Sequence, residues 1–290
     1  MALDHTRARV TCAIDSSSWQ FAAPRLRGAL ALALLCALAA CTTASTRPPV
    51  GTLEPDKFLW ERGTETLNAR RWFTAREYFR QLVDSYPQSP FRADAKLGIG
   101  DSYLGENTLE SQLLAINEYR EFLSFYPTHA RADYAQYQLG MAHFGQMRNP
   151  YRDQTETKEA IAEFTLFVQR YPNSPLLPEA RQRLRESKDR LGQAEFNVGL
   201  QYYRMRWYPG AIERFTGLLK NDPEYTYRDA VYFYMAQALL RIDRPFEALP
   251  FLERLIEEFE QSEHLDTARQ QSAEVRALLA KKQGETGDVR

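Results

Sequence analysis

Side chains capable of catalysis or metal binding are sparse in this 290-residue chain. The four histidines stand far apart, without the short spacings typical of metal ligands. They are His5, His129, His143 and His264. No nucleophile–base signature or glycine-rich phosphate loop occurs, and paired carboxylates such as Glu257 and Glu258 fit a solvated helix face. The sequence therefore predicts neither an enzyme nor a metal site.

The cysteines point to a different chemistry, because all three lie in the first 41 residues: Cys12, Cys36 and Cys41. Arg25 and Arg27 precede an apolar run, residues 28–40, which is shorter than the ~20 residues needed to span a bilayer. A basic segment followed by a short apolar run is typical of a secretory signal. The run ends in LAAC, which resembles a bacterial lipobox. We predict that Cys41 carries covalent lipid and that no other cofactor is bound; the alternative is an ordinary signal peptide with an incidental cysteine.

The composition divides the chain into six segments. Residues 1–24 precede the signal and suggest an overcalled start without structure, and residues 25–41 form the signal and lipobox. Residues 42–54 are small, polar and proline-rich, as in a flexible tether. Residues 55–175 should hold repeats one to three, residues 176–282 a long helix, repeats four and five and a closing helix, and residues 283–290 a disordered tail.

A five-fold repeat organises the folded part. Ala160, Phe164 and Phe167 fall on one face of a helix, which Pro172 then ends. The same pattern starts at Ala75, Ala115, Ala160, Ala211 and Ala248, with a large side chain four residues later: Phe79, Tyr119, Phe164, Phe215 and Leu252. A small residue precedes each: Gly63, Gly100, Gly140, Gly199 and Ala236. This is the tetratricopeptide pattern, in which small residues let paired helices approach closely. It predicts an all-α solenoid of about five helix pairs.

One segment exceeds the repeat. Residues 176–207 contain a single proline, Pro178, which is tolerated near a first helical turn, and are otherwise rich in helix formers. We therefore predict an added long helix between repeats three and four, with a bend at Gly192.

Two sets of side chains are candidates for binding partners. First helices of such repeats line a concave groove, and in repeats one to three it would be aromatic and lightly polar, suited to an extended peptide. Its positions are Trp60, Thr64, Leu67, Asp101, Leu104, Tyr134, Tyr137, Met141 and Phe144. The second set is an arginine–aromatic cluster in the C-terminal half, of a composition found in protein hot spots. Its members are Arg204, Arg206, Trp207, Tyr208, Arg214 and Arg241. The alternatives are ordinary core for the first set and a solvated face for the second.

Several stretches resemble the BamD family of outer-membrane assembly lipoproteins, among them YPTH, RYPNS and KDRL. The longer matches cover residues 126–140, 152–174, 180–203 and 226–239. The resemblance implies lipid anchoring at the periplasmic face of the outer membrane, alongside other assembly lipoproteins. It also implies that the C-terminal repeats bind a POTRA domain of the barrel-forming subunit, with Arg214 at the family's basic position. N-terminal repeats would then bind targeting segments of unfolded outer-membrane proteins. Glu260 in place of a proline departs from the repeat pattern, as does the N-terminal extension, and the closing helix matches the family poorly.

The sequence thus favours a non-catalytic scaffold of outer-membrane protein assembly. Thr42, which follows the lipobox cysteine and is not aspartate, favours sorting to the outer membrane. A formal net charge of −1 without a basic stripe argues against nucleic acid as a partner. The alternative function is that of another periplasmic tetratricopeptide lipoprotein, coordinating cell-wall or pilus assembly.

Overall fold

Helices account for all the regular secondary structure in the computed structural model, which describes residues 46–287, with side chains up to Lys281. Residues 1–45 and 288–290 lie outside this range, and with them the predicted start extension, the signal and Cys41. The described helices, which belong to the unit formed by residues 48–290, are α1 (Pro55–Asn68), α2 (Trp72–Ser85), α3 (Arg92–Glu106), α4 (Leu109–Phe125), α5 (Ala132–Gly145), α6 (Thr155–Arg170), α7 (Leu177–Arg204), α8 (Tyr208–Asn221), α9 (Arg228–Arg241), α10 (Pro245–Glu258) and α11 (Leu265–Gly287).

The helices form five consecutive pairs, α1/α2 to α9/α10, and α11 closes the last one. Each second helix ends at a residue whose N–H donates to the carbonyl four positions earlier, and in the first three pairs this residue is a tyrosine followed by proline. Proline lacks the N–H needed to extend the helix, so the chain turns into the next pair. The all-α solenoid of five helix pairs is thereby confirmed.

Glycines set the distance between paired helices. A Cβ atom added at Gly63 would lie 2.5 Å from Cε1 of Phe79, and one at Gly140 would lie 2.7 Å from Cε1 of Phe164. Each ring therefore occupies the space that a larger residue would need. Gly98, on the next first helix, contacts the other side of the Phe79 ring. The pattern predicted Gly63 and Gly140 but not Gly98, which has no counterpart in the five-fold register.

The long helix α7 is confirmed, and it joins two parts of the core. Its first half packs on the cluster around Phe164 and Phe167, while Phe196 in its second half belongs to the cluster of the last two pairs. The helix continues through Gly192, where a bend was predicted. A Cβ there would lie 2.6 Å from the ring of Tyr225, so this glycine permits a close approach.

The ends of the described range add two details. In the tether, Thr52 donates from both its N–H and its hydroxyl to the carbonyl of Pro49, which forms a turn before α1. At the other end, α11 runs to Gly287 and so extends into the segment predicted to be disordered, since Lys281, Lys282 and Gln283 favour helix. Across residues 46–287, no helix has both the length and the apolar character needed to cross a membrane.

Candidate functional site

The first helices of repeats one to three, together with Trp72 and Phe79 of α2, line an open cavity of about 370 Å³. Five of the nine predicted groove residues line it: Trp60, Thr64, Leu67, Asp101 and Tyr134. Trp60 stacks on Phe91 with ring centroids 5.2 Å apart, which fixes the indole at one end. The cavity therefore combines aromatic walls with a few polar atoms, as peptide-binding grooves do.

A hydrogen-bonded carboxylate forms the floor of this cavity. Oδ1 of Asp101 accepts from the hydroxyl of Tyr119 at 2.7 Å and from that of Tyr134 at 3.0 Å. Gln138 donates to the Tyr134 hydroxyl at 2.9 Å. Burial raises the pKa of Asp101 above its ordinary value, although the two hydroxyls and Arg131 oppose that rise. Asp101 thus fixes two rings that belong to different helices.

Arg131 supplies a cation to the cavity that the sequence pattern did not predict. It precedes α5, outside the first-helix positions from which the groove was inferred. Its Nη1 lies 3.3 Å from Oδ1 of Asp94, and its Cζ lies 4.5 Å from the centroid of the Tyr134 ring. The guanidinium is thereby held at the cavity wall, where it could receive an acidic or aromatic group.

The other predicted groove residues lie elsewhere. Tyr137, Met141 and Phe144 pack in the core cluster of repeat three, and Tyr137 is only 6% exposed. The first half of α7 covers them: Arg183 places its Cζ 5.2 Å from the Phe144 ring centroid. Burial and a hydrogen bond with Glu179 raise the pKa of Tyr137 to about 12. Leu104 is partly buried against the first core cluster. The structure therefore brings five of the nine predicted groove residues together around one cavity and leaves the other four outside it.

The arginine–aromatic cluster is assembled where α7 meets α8. The ring of Trp207 meets Tyr202 edge to face at 4.8 Å and stays 54% exposed. Cζ of Arg214 lies 5.8 Å from the Tyr202 ring centroid, and its Nη1 lies 3.9 Å from Oε2 of Glu195. The arginine is half-exposed and only loosely paired, so its charge remains accessible to a partner. Sequence reasoning missed Tyr202 and Glu195, which connect the cluster.

The remaining members of the cluster are less closely connected. Arg204 and Arg206 are exposed at the end of α7, and Arg206 adopts a positive φ of 62°, which directs the chain into α8. Tyr208 contacts Tyr203 with ring centroids 5.5 Å apart. Arg241 ends α9, one repeat later, and no hydrogen bond or ring contact in the described residues joins it to the cluster. The structure therefore joins Trp207 and Arg214 through Tyr202 more closely than it joins the remaining members of the cluster.

One histidine has neighbours that its sequence spacing did not reveal. His143 is buried, and one ring nitrogen of His143 and one carboxylate oxygen each of Glu159 and Glu163, atoms of the kind that bind metal ions, lie within 4.8 Å of one another. Nη2 of Arg120 stands 3.3 Å from Nε2 of His143, and Oε2 of Glu156 lies 2.8 Å from Nδ1. Because arginine only donates, Nε2 accepts and Nδ1 carries the proton donated to Glu156. Arg120 therefore supplies the cation of a network that ties α4, α5 and α6 together.

Comparison with known proteins shows the family to which the chain belongs. A family model described as "Outer membrane lipoprotein" (YfiO) matches residues 53–245, and a tetratricopeptide repeat model matches residues 230–262. The chain belongs to the YfiO family of outer membrane lipoproteins. The outer membrane protein assembly factor BamD of Caulobacter vibrioides is 28% identical over 220 residues, which are 75% of this chain and 71% of that protein. BamD of Vibrio cholerae is 30% identical over 209 residues, or 69% and 83% of the two chains.

The YfiO match includes every candidate partner-binding residue between Trp60 and Arg241, but neither Cys41 nor α11. Among solved structures, the TPR2AB domain of yeast Sti1 aligns with a TM-score of 0.45 and 14% identity, over 78% of this chain and 84% of that one. The tetratricopeptide fold rests on the helix pairs and on the repeat model.

Proposed function

We propose that this YfiO-family chain is a non-catalytic scaffold of outer-membrane β-barrel protein assembly. The similarity to BamD assembly factors over most of the chain carries the proposal. The geometry supports it, because each half of the solenoid presents a surface suited to protein partners: the aromatic cavity around Asp101 and the cluster around Arg214.

The cluster around Arg214 is proposed to bind a POTRA domain of the barrel-forming subunit. Arginine, tryptophan and tyrosine are the residues most enriched in binding hot spots. Glu195 holds the guanidinium at 3.9 Å, so a partner carboxylate could form a closer, bidentate pair without disrupting the fold. Trp207 beside it offers exposed apolar area at little entropic cost, because Gly210 lets the helix backbone pack against its ring.

Reversing the charge of Arg214 tests this role. Arg214→Glu should weaken binding of the purified POTRA domains about tenfold or more in calorimetric titration, because it places a carboxylate against the partner's carboxylate. Arg62→Glu is the matched control, since Arg62 is also half-exposed and pairs with Glu65 at 2.6 Å in repeat one. Unchanged affinity of Arg214→Glu would refute the role. A pull-down of the native complex that recovers a cell-wall synthase or a secretin, in place of the barrel subunit, would favour the alternative function.

The cavity around Asp101 is proposed to bind aromatic-rich targeting segments of unfolded outer-membrane proteins. Its stacked Trp60 and its cation Arg131 can hold an aromatic side chain and a neighbouring negative charge. A photo-crosslinking residue at Thr64 should label a C-terminal client peptide, whereas one at the exposed Phe73 on α2 should not. Equal labelling at both positions would contradict a specific groove.

Cys41 is proposed to hold the chain at the periplasmic face of the outer membrane through covalent lipid, with residues 42–54 as the tether. Residue 41 lies outside the described residues, so the argument rests on the lipobox and on the lipoprotein family. Mass spectrometry of the mature N-terminus checks it: an unmodified Cys41 would remove the anchor from the proposal.

A further inference from the structure

A second cavity, of about 490 Å³, lies beside the cluster around Arg214. The connection between α5 and α6, residues 146–154, is longer than that within any other helix pair, and it forms one wall. The second half of α7 forms the other. The cavity is lined by, among others, Tyr151, Arg152, Glu195, Val198, Tyr202 and Arg204.

The wall formed by residues 146–154, here called the insertion loop, is held rigid by its own hydrogen bonds. Nε2 of Gln154 donates to the carbonyls of Asn149 at 3.0 Å and of Arg152 at 2.9 Å. Thr157 donates to Oε1 of Gln154 at 2.8 Å, so this largely buried amide uses both of its ends. Arg190 near the middle of α7 donates to the carbonyl of Arg148 at 3.1 Å, which ties the loop to that helix. A loop ordered in this way loses little entropy when it binds a partner.

The cavity presents apolar side chains to solvent. Tyr151 is 76% exposed at the tip of the loop, and Val198 is 39% exposed on α7. Exposed aromatic and aliphatic groups that flank a concavity are typical of sites that receive a partner's apolar side chain.

The charge of the cavity selects its partner. Among the residues that line it, Arg152 and Arg204 are cationic and Glu195 is the one carboxylate. Arg214, which lies 3.9 Å from Glu195, adds a third cation beside the cavity, so the net charge of these side chains is positive. A complementary surface therefore carries carboxylates around an apolar side chain.

The cavity is continuous with the cluster proposed to bind the POTRA domain. Tyr202 lines the cavity and also meets Trp207 at 4.8 Å and Arg214 at 5.8 Å. A domain that covers Arg214 would therefore extend over the mouth of the cavity. Segments separated by about 50 residues in the sequence are brought into one surface in this way.

We propose that the insertion loop is the second half of the POTRA-binding site, with Tyr151 as an anchor and the cavity receiving an apolar side chain flanked by carboxylates. This inference rests on the proposed function of the cluster around Arg214. The insertion of repeat three thus serves the same partner as repeat four, from the other side of α7.

Truncating the anchor provides the test. Tyr151→Ala should weaken binding of the POTRA domains to the full mature chain on the order of tenfold in calorimetric titration. Phe73→Ala is the matched control, because Phe73 is a similarly exposed aromatic, at 69%, that lies outside this cavity. Both variants should keep the wild-type circular dichroism spectrum and melting temperature, since neither ring is buried.

A charge pair at Val198 tests the chemistry of the partner. Val198→Glu and Val198→Gln have nearly the same shape, so a greater loss of affinity with glutamate measures repulsion from the partner's carboxylates. Equal losses of affinity would overturn the inference that the partner's surface carries carboxylates. If Arg214→Glu weakens binding but Tyr151→Ala does not, this inference fails while the proposed function stands; if neither weakens it, both fail. Loss of binding to anionic vesicles in Tyr151→Ala, with POTRA binding intact, would assign the cavity to the membrane surface and overturn the inference.

Discussion

Truncating Phe215 to alanine should lower the free energy of unfolding by about 3–5 kcal/mol, because it empties a fully buried site. The ring fills the space between α7 and α8, where it lies 5.7 Å from the ring of Phe196. Chemical denaturation followed by circular dichroism measures the change, and a loss below about 1 kcal/mol would contradict the role of this ring as the spacer of repeat four.

The opposite change, filling the glycine, distinguishes packing from helix propensity. Alanine is the better helix former, yet Gly199→Ala should cost about 1–3 kcal/mol because the new Cβ would lie 2.5 Å from Cε1 of Phe215. Gly217 of α8 is the matched control: nothing lies within 4 Å of a Cβ there, so Gly217→Ala should stabilise by about 0.5–1 kcal/mol. The double variant of Gly199→Ala with Phe215→Leu should lose less than the sum of its parts. Additive losses would show that the two residues do not compete for space.

The sequence was sufficient to predict the contacts within each helix pair. Gly199 and Phe215 are close in sequence, and their spacing recurs in other pairs. Residue type and spacing therefore predict the same contact. The long α7 was also predictable, because uninterrupted helix formers and the position of Pro178 are local signals. Local sequence predicts structure well where the same packing contact recurs in successive helix pairs.

Contacts between distant segments were not predictable from the sequence. Tyr137 and Phe144 occupy groove positions in the repeat pattern, yet α7 packs over them because it starts earlier than a regular first helix would. Tyr151 shows the converse, since nothing in the repeat pattern places an insertion loop beside residues 194–204. Both sets of contacts depend on the path of α7. The repeat pattern does not predict that path, because α7 is longer than a regular first helix.

Removing the carboxylate of Asp101 should also have a large effect. Asp101→Ala leaves the hydroxyls of Tyr119 and Tyr134 without their shared acceptor, and Tyr119 is completely buried. An unsatisfied buried hydroxyl costs about 1–3 kcal/mol, so we expect a loss of roughly 2–4 kcal/mol in the free energy of unfolding. Asp101→Asn is the control, because one amide oxygen can accept from both hydroxyls as Oδ1 does. If Ala and Asn cost the same, the hydrogen bonds do not hold the two helices together.

The stability of the wild type relative to Asp101→Asn should depend on pH, and the sign of this dependence follows from the burial of Asp101. Burial raises the pKa of Asp101 above its ordinary value of 3.8, so the folded chain binds this proton more tightly than the unfolded chain. The stabilisation from protonation is fully present below the unfolded pKa and is lost as pH rises through the folded pKa. Asp101→Asn does not ionise, so the stability of the wild type relative to this variant should fall as pH increases from about 4. Unfolding free energies of both proteins across that range measure the slope. A relative stability that rises with pH would mean that the two tyrosine hydroxyls and Arg131 outweigh desolvation, and that the carboxylate is a favourable charge in the floor of the cavity.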